Sequence, residues 1–506
     1  MTDTTRADYT QSNDADNNPL VMTLPDFSGY VPKELAEQML RVTQVPAKTE
    51  PKRVRAKFLR ELPRELFVPT VHHFTLFQTM DSLIRLGYKD RNPNNVKSKQ
   101  FLSKAGTELE TKLQDFGSDY RDGFSATLVG VSGNGKTYSV SNLLRYYPQV
   151  ISHNDPKFVP GSFDQVVYLR VNCPDDGSPK SLCTEALAEL GRVTGEPYSE
   201  MVGNRVSASH LRVRLAQLMN IHKVGLLVID EIQNIVNARR NKEELFNFIV
   251  TLSNTLNVPL LFIGTPKLEK LLDSNLRTDR RLGSQGWIVW DRLRRDSEDW
   301  RLFMKHLWRC SVLSQDPEVM PGEVEDALYE YSQGIPDILV RLFVTAQTNG
   351  LMRLPKDKEH TTASLISVTF KESFSNVAKV IGAIARNDLE AMGRYEDVRM
   401  PEGRFTQMLS DKISEIEQKD VSDEPKPIPV RDKVIQWLQE MQYKVTPRLD
   451  TEITKMCLAN PKITLSEAMK QAMALLDSTE KDAQPIPAGK PKMTLPELST
   501  FPVGSV

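Results

Sequence analysis

The sequence predicts an α/β fold: a parallel, doubly wound sheet followed by an α-helical lid, with an extension at each end of the chain. Three observations predict it. Gly130-Val131-Ser132-Gly133-Asn134-Gly135-Lys136-Thr137 fits G-x-x-x-x-G-K-[ST] at every fixed position, between an apolar run and a helical pattern. A second apolar run, Val224 to Ile229, closes on Asp230-Glu231. Strand and helix patterns alternate up to residue 296, after which only helical patterns remain.

Residues 1–23 are rich in Thr, Asp and Asn and read as a disordered tail. Residues 24–106 carry apolar positions such as Phe58, Leu62, Phe67, Phe77 and Ile84 beside a basic run, Lys48, Lys52, Arg53, Arg55, Lys57 and Arg60. They read as a partner-binding arm leading into a small helical region. The α/β core spans 107–296, with strands expected at Phe124–Val129, Gln165–Val171, Val224–Ile229, Pro259–Ile263 and Trp287–Trp290. Amphipathic helices are expected at Ser181–Leu190, His210–Ile221 and Glu243–Leu256, the first opened by Ser178-Pro179 as N-cap and N1. The lid, 297–388, has helical patterns at Asp299–Ser311, Gly322–Tyr331, Ile335–Asn349 and Thr362–Arg386. Residues 389–477 form a helical, partner-binding region with a charged linker at Glu415–Arg431, and 478–506 a Pro-rich flexible tail.

The glycine-rich segment predicts a phosphate-binding loop. Glycines let backbone N–H groups curl round phosphates, and the following helix points its positive end at them. Gly130, Ser132, Gly133, Asn134, Gly135, Lys136, Thr137 and Tyr138 are the candidate nucleotide residues. Lys136 would place a charge on the phosphates and Thr137 a hydroxyl on Mg²⁺. Asp230 ends a strand at the sheet edge where open α/β folds hold ligands, and would hold Mg²⁺ through water. Glu231 would act as general base toward the attacking water. The chemistry implied is binding and hydrolysis of a nucleoside triphosphate.

Composition excludes several classes. Four cysteines without C-x-x-C spacing argue against a metal site and for thiols in a reducing cytoplasm. The N-terminus lacks a signal-peptide core, and no apolar run approaches the roughly 18 residues of a membrane span. With a net charge of −1, any DNA binding must come from a local patch or from many assembled subunits. His72-His73 reads as a packed or surface pair, with no other His or Cys near in sequence.

A core followed by a helical lid resembles AAA+ ATPases. Small GTPases lack the lid and carry a guanine-reading motif that is not found here. Leu260 to Pro266 is a buried strand whose end places Thr265 where a sensor residue would read the γ-phosphate. Arg280 and Arg281 stand in a basic cluster where AAA+ subunits supply an arginine finger in trans. Within this class, Tyr147–Ile151, Gln165–Leu169, Gly225–Gln233, Ile263–Lys267 and Ser332–Phe343 resemble TnsC, the regulator of Tn-seven-type transposons in the TnsC/TniB family. The similarity covers roughly residues 55 to 350.

The resemblance implies an ATP- and Mg²⁺-dependent protein that assembles as rings or filaments on duplex DNA. It would connect a target-selecting protein (TnsD/TniQ-like) to transposase subunits (TnsA/TnsB-like). By analogy with a central pore, Ser178, Lys180, Arg205 and Arg212 are the candidate DNA contacts. One position departs from the pattern: Asp337 follows Gly334-Ile335-Pro336 where many lids carry an arginine, so either Arg341, one helical turn later, takes its place or the lid senses nucleotide weakly. Two other readings stay open, a protein-remodelling ATPase and a replication initiator or helicase loader with a DNA-binding domain after the lid.

Overall fold

The computed structural model describes residues 4–12, 17–27, 32–42, 44–89, 91–96, 124–201, 206–234, 248, 258–268, 283–386, 402–423, 429–441, 443, 445–460 and 463–479. The chain divides into two compact units, 1–420 and 421–506. The first opens with β1 (Thr4–Arg6), α1 (Pro19–Met22), α2 (Pro32–Met39), α3 (Lys52–Glu65) and α4 (Val71–Lys89). The core runs β2 (Ser125–Gly130), α5 (Lys136–Leu144), β3 (Val150–His153), β4 (Phe163–Val166), β5 (Tyr168–Asn172), α6 (Pro179–Thr194), α7 (Ala208–Ile221), β6 (Leu226–Asp230), β7 (Leu260–Gly264) and β8 (Trp287–Trp290). The lid is α8 (Glu298–Arg309), α9 (Gly322–Ser332), α10 (Pro336–Arg353), α11 (Ala363–Ser373) and α12 (Ala378–Ala385), and α13 (Glu402–Asp423) follows it.

Five parallel strands form the main sheet in the order β5-β6-β7-β2-β8. Strands β6 and β7 are apolar up to Asp230 and Gly264 because both faces are covered, while β2 also buries Ser125 and Thr127. Leu227, Ile229, Leu260 and Phe262 pack against α6 and α7 through Leu182, Leu187, Leu215 and Met219. The alternate residues Leu226, Val228, Leu261 and Ile263 face α4 and α5 through Leu76, Met80, Ile84 and Leu143. This is the expected α/β architecture with a helical region after it. The expected helix Glu243–Leu256 lies outside the described residues.

Several expectations are corrected. The run Gln165–Val171 is two strands: β4 pairs antiparallel with β3, while β5 pairs parallel with β6. Val167 is the break, its N–H donating to Gln149 O instead of to either ladder. The lid pattern Thr362–Arg386 likewise divides into α11 and α12, with Ser375-Asn376 between them and both side chains able to compete for backbone groups.

Of the N-terminal residues expected to be disordered, 4–12 and 17–23 form strand, helix and turns that pack on the core. Strand β1 pairs parallel with β3, Thr4 opposite Val150 and Arg6 opposite Ser152. Tyr9 stacks on Phe158 with ring centroids 4.1 Å apart, its hydroxyl 3.0 Å from His153 Nδ1. Leu20 and Leu24 are fully buried, and Asn18 caps α1 while its Nδ2 donates to Tyr88 O at 2.8 Å. A few apolar anchors in a polar stretch suffice once an open sheet edge accepts them.

Within residues 24–106 the described helices α3 and α4 pack on different cores. Helix α3 contributes Ala56, Phe58, Leu59 and Leu62 to the lid core, whereas α4 packs on the sheet. The basic run serves that docking. Arg55, 1% exposed, donates to Val312 O at 2.7 Å and to the buried Glu359 carboxylate at 2.8 Å. Lys52 lies 3.0 Å from the same carboxylate and donates to Leu351 O; Lys48 donates to Asp316 O. Burial alone would raise the pKa of Glu359, but the hydrogen bonds from Arg55 and Lys52 outweigh it and hold it below the usual value.

Helix α13 reaches Asp423 and seats Phe405, Leu409, Ile413 and Ile416 in the lid core, so helix occupies much of the expected linker. The second unit holds α14 (Pro429–Glu440), α15 (Pro447–Ala459) and α16 (Leu465–Thr479) round a core of its own, with Val434, Leu438, Ile453 and Ala472 at its centre. No helix among the described residues is long and apolar enough to cross a membrane.

Candidate nucleotide site

The phosphate loop joins β2 to α5. Gly133 and Gly135 adopt φ of +84° and +80°, the left-handed region in which a side chain would be strained. That bend turns the chain into α5, whose first-turn N–H groups have no intrahelical acceptor and so face whatever lies over the loop. Lys136 is buried in the loop, its Nζ donating to Gly130 O at 2.6 Å and Val131 O at 2.9 Å. Both acceptors are carbonyls of the loop itself, so the ammonium is folded into the turn that would cradle the phosphates. Asn134 fixes the loop from the other side: its Nδ2 donates to Trp290 O, and Trp290 Nε1 donates back to Asn134 O at 2.8 Å. The pair pins the loop to β8.

The acidic pair ends β6. Asp230 lies opposite Asn172 of β5 and accepts the Glu231 N–H at 2.8 Å. Glu231 has φ +55°, which turns its side chain out of the strand direction. Gln233, buried, donates through Nε2 to the Glu231 carboxylate and accepts the Thr265 N–H at 3.1 Å. Strand β7 lies between β6 and β2, so Thr265 stands between the acids and the phosphate loop. Among the described residues its buried Oγ1 has no hydrogen-bond partner, and a phosphate oxygen or water would satisfy it.

Arm and lid close the site. A cavity of 740 Å³ is lined by Gly133, Asn134, Gly135 and Thr137 and by apolar side chains that include Phe67, Val68, Leu293, Phe303 and Val340. Its volume lies within the range of small-molecule sites. The Asp337 N–H donates to Gly133 O at 3.2 Å, so the start of α10 rests on the phosphate loop. Gly334 makes this approach possible: with φ +73°, a Cβ there would fall 2.0 Å from Leu293 O. Arg341 stays on the lid, its Nε donating to Asp337 at 2.8 Å and its guanidinium lying 4.7 Å from the Phe405 ring centroid.

Three arm residues, Arg64, Leu66 and His73, hold α5. Tyr138 Oη donates toward Arg64 O at 2.9 Å and Leu66 O at 3.1 Å, so its hydroxyl joins α5 to the arm. His73 accepts the Thr70 N–H at Nδ1 and its Nε2 lies 3.0 Å from Ser139 Oγ, with its ring edge-on to Trp290. Burial, with a smaller contribution from His72, lowers its pKa to about 3, so the ring is neutral. It is a packed histidine, as its sequence isolation suggested.

The structure thus gathers Gly130, Ser132, Gly133, Gly135, Lys136 and Thr137 in one loop, with Asp230, Glu231 and Thr265 at neighbouring strand ends. Arg280, Arg281 and Arg205 lie outside the described residues. Ser178 is the N-cap of α6, its Oγ accepting Ser181 N–H at 3.3 Å. Lys180 is half-buried in the first turn of α6, and Arg212 lies over Phe248 at 5.9 Å with its Nε buried and unpartnered. Sequence reasoning missed Gln233, Trp290 and the apolar cavity lining. Gln233 closes the Gly225–Gln233 segment two residues after Glu231, while the cavity lining joins residues from 67 to 340 that no local pattern connects.

Residues 121–272 match the family model described as an AAA domain. No curated protein matches the sequence. Solved structures similar to the chain include a Walker-type ATPase of Pyrococcus abyssi, at 12% identity and a TM-score of 0.35, covering 64% of this chain and 89% of that one. The Aeropyrum pernix ORC2 protein, solved in ADPNP and ADP complexes, has 13% identity and a TM-score of 0.33, covering 77% and 95%. NtrX from Brucella abortus, solved with ATP, has 14% identity and a TM-score of 0.30, covering 72% of each chain. The chain carries an AAA-type P-loop ATPase domain.

Proposed function

We propose that this chain is an ATP-dependent, DNA-binding regulator of transposition that assembles on duplex DNA and links a target-selecting protein to a transposase. The observation that carries the switch is the contact of the lid with the phosphate loop, Asp337 N–H to Gly133 O, beside the arm contacts of Tyr138 and His73. A ligand that moves this loop must shift lid and arm together. The segments that resemble TnsC, Gly225–Gln233, Ile263–Lys267 and Ser332–Phe343, supply the acids, the Thr265 strand end and the lid entry.

The residues present fit Mg²⁺-ATP. The apolar part of the cavity lining suits a base, and the N-terminus of α5 with Lys136 would hold the phosphates. Thr137 and Asp230 would hold Mg²⁺, which supplies charge neutralisation at the phosphates. Glu231 would take the proton of the attacking water, oriented by Gln233. Arg280 or Arg281 would reach a neighbouring subunit's site, so that either Ala substitution spares nucleotide binding and reduces hydrolysis and assembly. Arg341 would reach phosphate only by leaving Asp337, which suits slow hydrolysis in a switch.

The test is a reconstituted insertion assay with TnsA/TnsB-like transposase subunits and a TnsD/TniQ-like target selector. Insertion that needs this chain, ATP and an intact Lys136 supports the reading; insertion indifferent to the chain rejects it. The separate unit of α14 to α16 favours a second reading, a replication initiator. In that case deletion of residues 429–506 would abolish DNA binding.

A further inference from the structure

One face of the first unit gathers four arginines. Arg6, Arg145 and Arg170 are exposed and Arg41 is half-buried, and among the described residues none of the four makes an ion pair. They are linked through α5. Arg41 and Arg145 both donate to Asn142 Oδ1, at 3.2 and 3.5 Å, and Arg170 donates to Ser141 Oγ. Arg6 and Arg145 line an open groove of 640 Å³ that also holds Tyr168 and Arg192. Burial raises the pKa of Tyr168, and the charges of Arg170, Arg145 and Arg192 oppose that rise, so all three act on one ring. Acids near this face include Asp8, in the groove, Glu189, which pairs with Arg192 at 2.6 Å, Asp164, which accepts from Ser152 opposite Arg6, and Glu65, whose charge acts on Tyr138 together with those of Arg41 and Arg145.

The loop expected to meet DNA has the opposite character. Asp176 holds Ser178 N and Ser181 Oγ there, and burial with the charges of Asp175 and Asp176 raises the pKa of Glu185. Three acids round Ser178 and Lys180 repel a phosphate backbone.

We infer that the face built by Arg6, Arg41, Arg145 and Arg170 round Tyr168 binds the phosphate backbone of duplex DNA, independently of sequence. The inference rests on the DNA-binding reading above and names its surface. Guanidinium forks suit phosphate oxygens, and Ser141 and Tyr168 add hydroxyls. A protein partner would need an apolar centre to its interface, and none of the exposed large apolar side chains lines this groove. The face begins on the phosphate-loop helix, so nucleotide and DNA would act on the same element.

The experiment measures affinity of the full chain for a random-sequence duplex, with a non-hydrolysable ATP analogue, over about 50 to 200 mM salt. Each phosphate contact contributes about 0.9 to the salt slope. Arg145→Ala with Arg170→Ala should therefore lower the slope by about 2 and weaken binding at least about tenfold. Arg145→Lys with Arg170→Lys should stay near the parent, and equal melting temperatures show that folding is intact. Parent affinity and slope in the Ala variant would overturn the assignment while leaving the DNA-binding reading in place. No binding by the parent chain in any nucleotide state would overturn both. Loss of self-association in the Ala variant without DNA, seen by sedimentation, would make the face a contact between copies and overturn the assignment as well.

Discussion

Gln233 holds Glu231: the side-chain Nε2 donates to the carboxylate, and the same amide's Oε1 accepts the Thr265 N–H at 3.1 Å. One buried side chain thus ties Glu231 at the end of β6 to the end of β7. Because Gln233 is 8% exposed, its amide has no water to bond instead, and the arrangement is rigid.

Replacing Gln233 by Ala frees the carboxylate to rotate and leaves the Thr265 N–H unpaired. Hydrolysis should fall about tenfold in kcat, within the range of misplaced acid–base groups, while ATP affinity stays near the parent value. Single-turnover hydrolysis beside fluorescent-nucleotide titration checks it. An unchanged kcat would remove Gln233 from the site's machinery.

Glu231→Gln keeps the shape of the site and removes the carboxylate proposed as the base. Nucleotide binding should survive and hydrolysis should drop by about 10² or more. Equal steady-state rates in parent and variant would show that another group activates water.

The arm and lid depend on Glu359. Its substitution by Ala leaves Arg55 buried without its counter-charge, a loss of about 3–5 kcal/mol for a broken buried pair. Since the folded pKa of Glu359 lies below its ordinary 4.5, its contribution is present above that pH and is lost as pH falls through the folded value. Denaturant unfolding of parent and variant should differ widely at pH 7 and converge in strong acid. A constant gap down to pH 3 would contradict the pairing.

His73 acts over a different window. With a folded pKa of about 3 against an ordinary 6.5, the unfolded chain binds its proton first as pH falls. Stability is therefore complete above pH 6.5 and declines from there toward 3. Between pH 6.5 and 5, where Glu359 is still ionised, His73→Gln should flatten the dependence. An unaltered slope would place the ring in solvent.

The sheet was legible because its central strands, such as Leu226 to Asp230, are apolar on both faces and close on acids. The phosphate loop was legible because its chemistry needs glycines at set positions, and the structure adds that φ is positive at Gly133 and Gly135. Where one run serves two sheets, as at Val167, periodicity carries no mark of the switch. Charge was the least legible property. Lys48, Lys52 and Arg55 are basic in sequence and spent on carbonyls and Glu359 in the fold, whereas Arg6, Arg41, Arg145 and Arg170, far apart in the chain, meet on one face. Partner choice among buried and exposed cations is a tertiary property, set by packing and invisible to spacing.

The most direct measurement is duplex binding by the full chain with no nucleotide, ADP, ATP and a non-hydrolysable ATP analogue, with electron microscopy of the same samples. The account predicts binding of unrelated sequences that appears with the triphosphate, coincides with ring or helical assemblies and vanishes in Lys136→Ala. Binding that is absent in every state, or equal in all four, would contradict it.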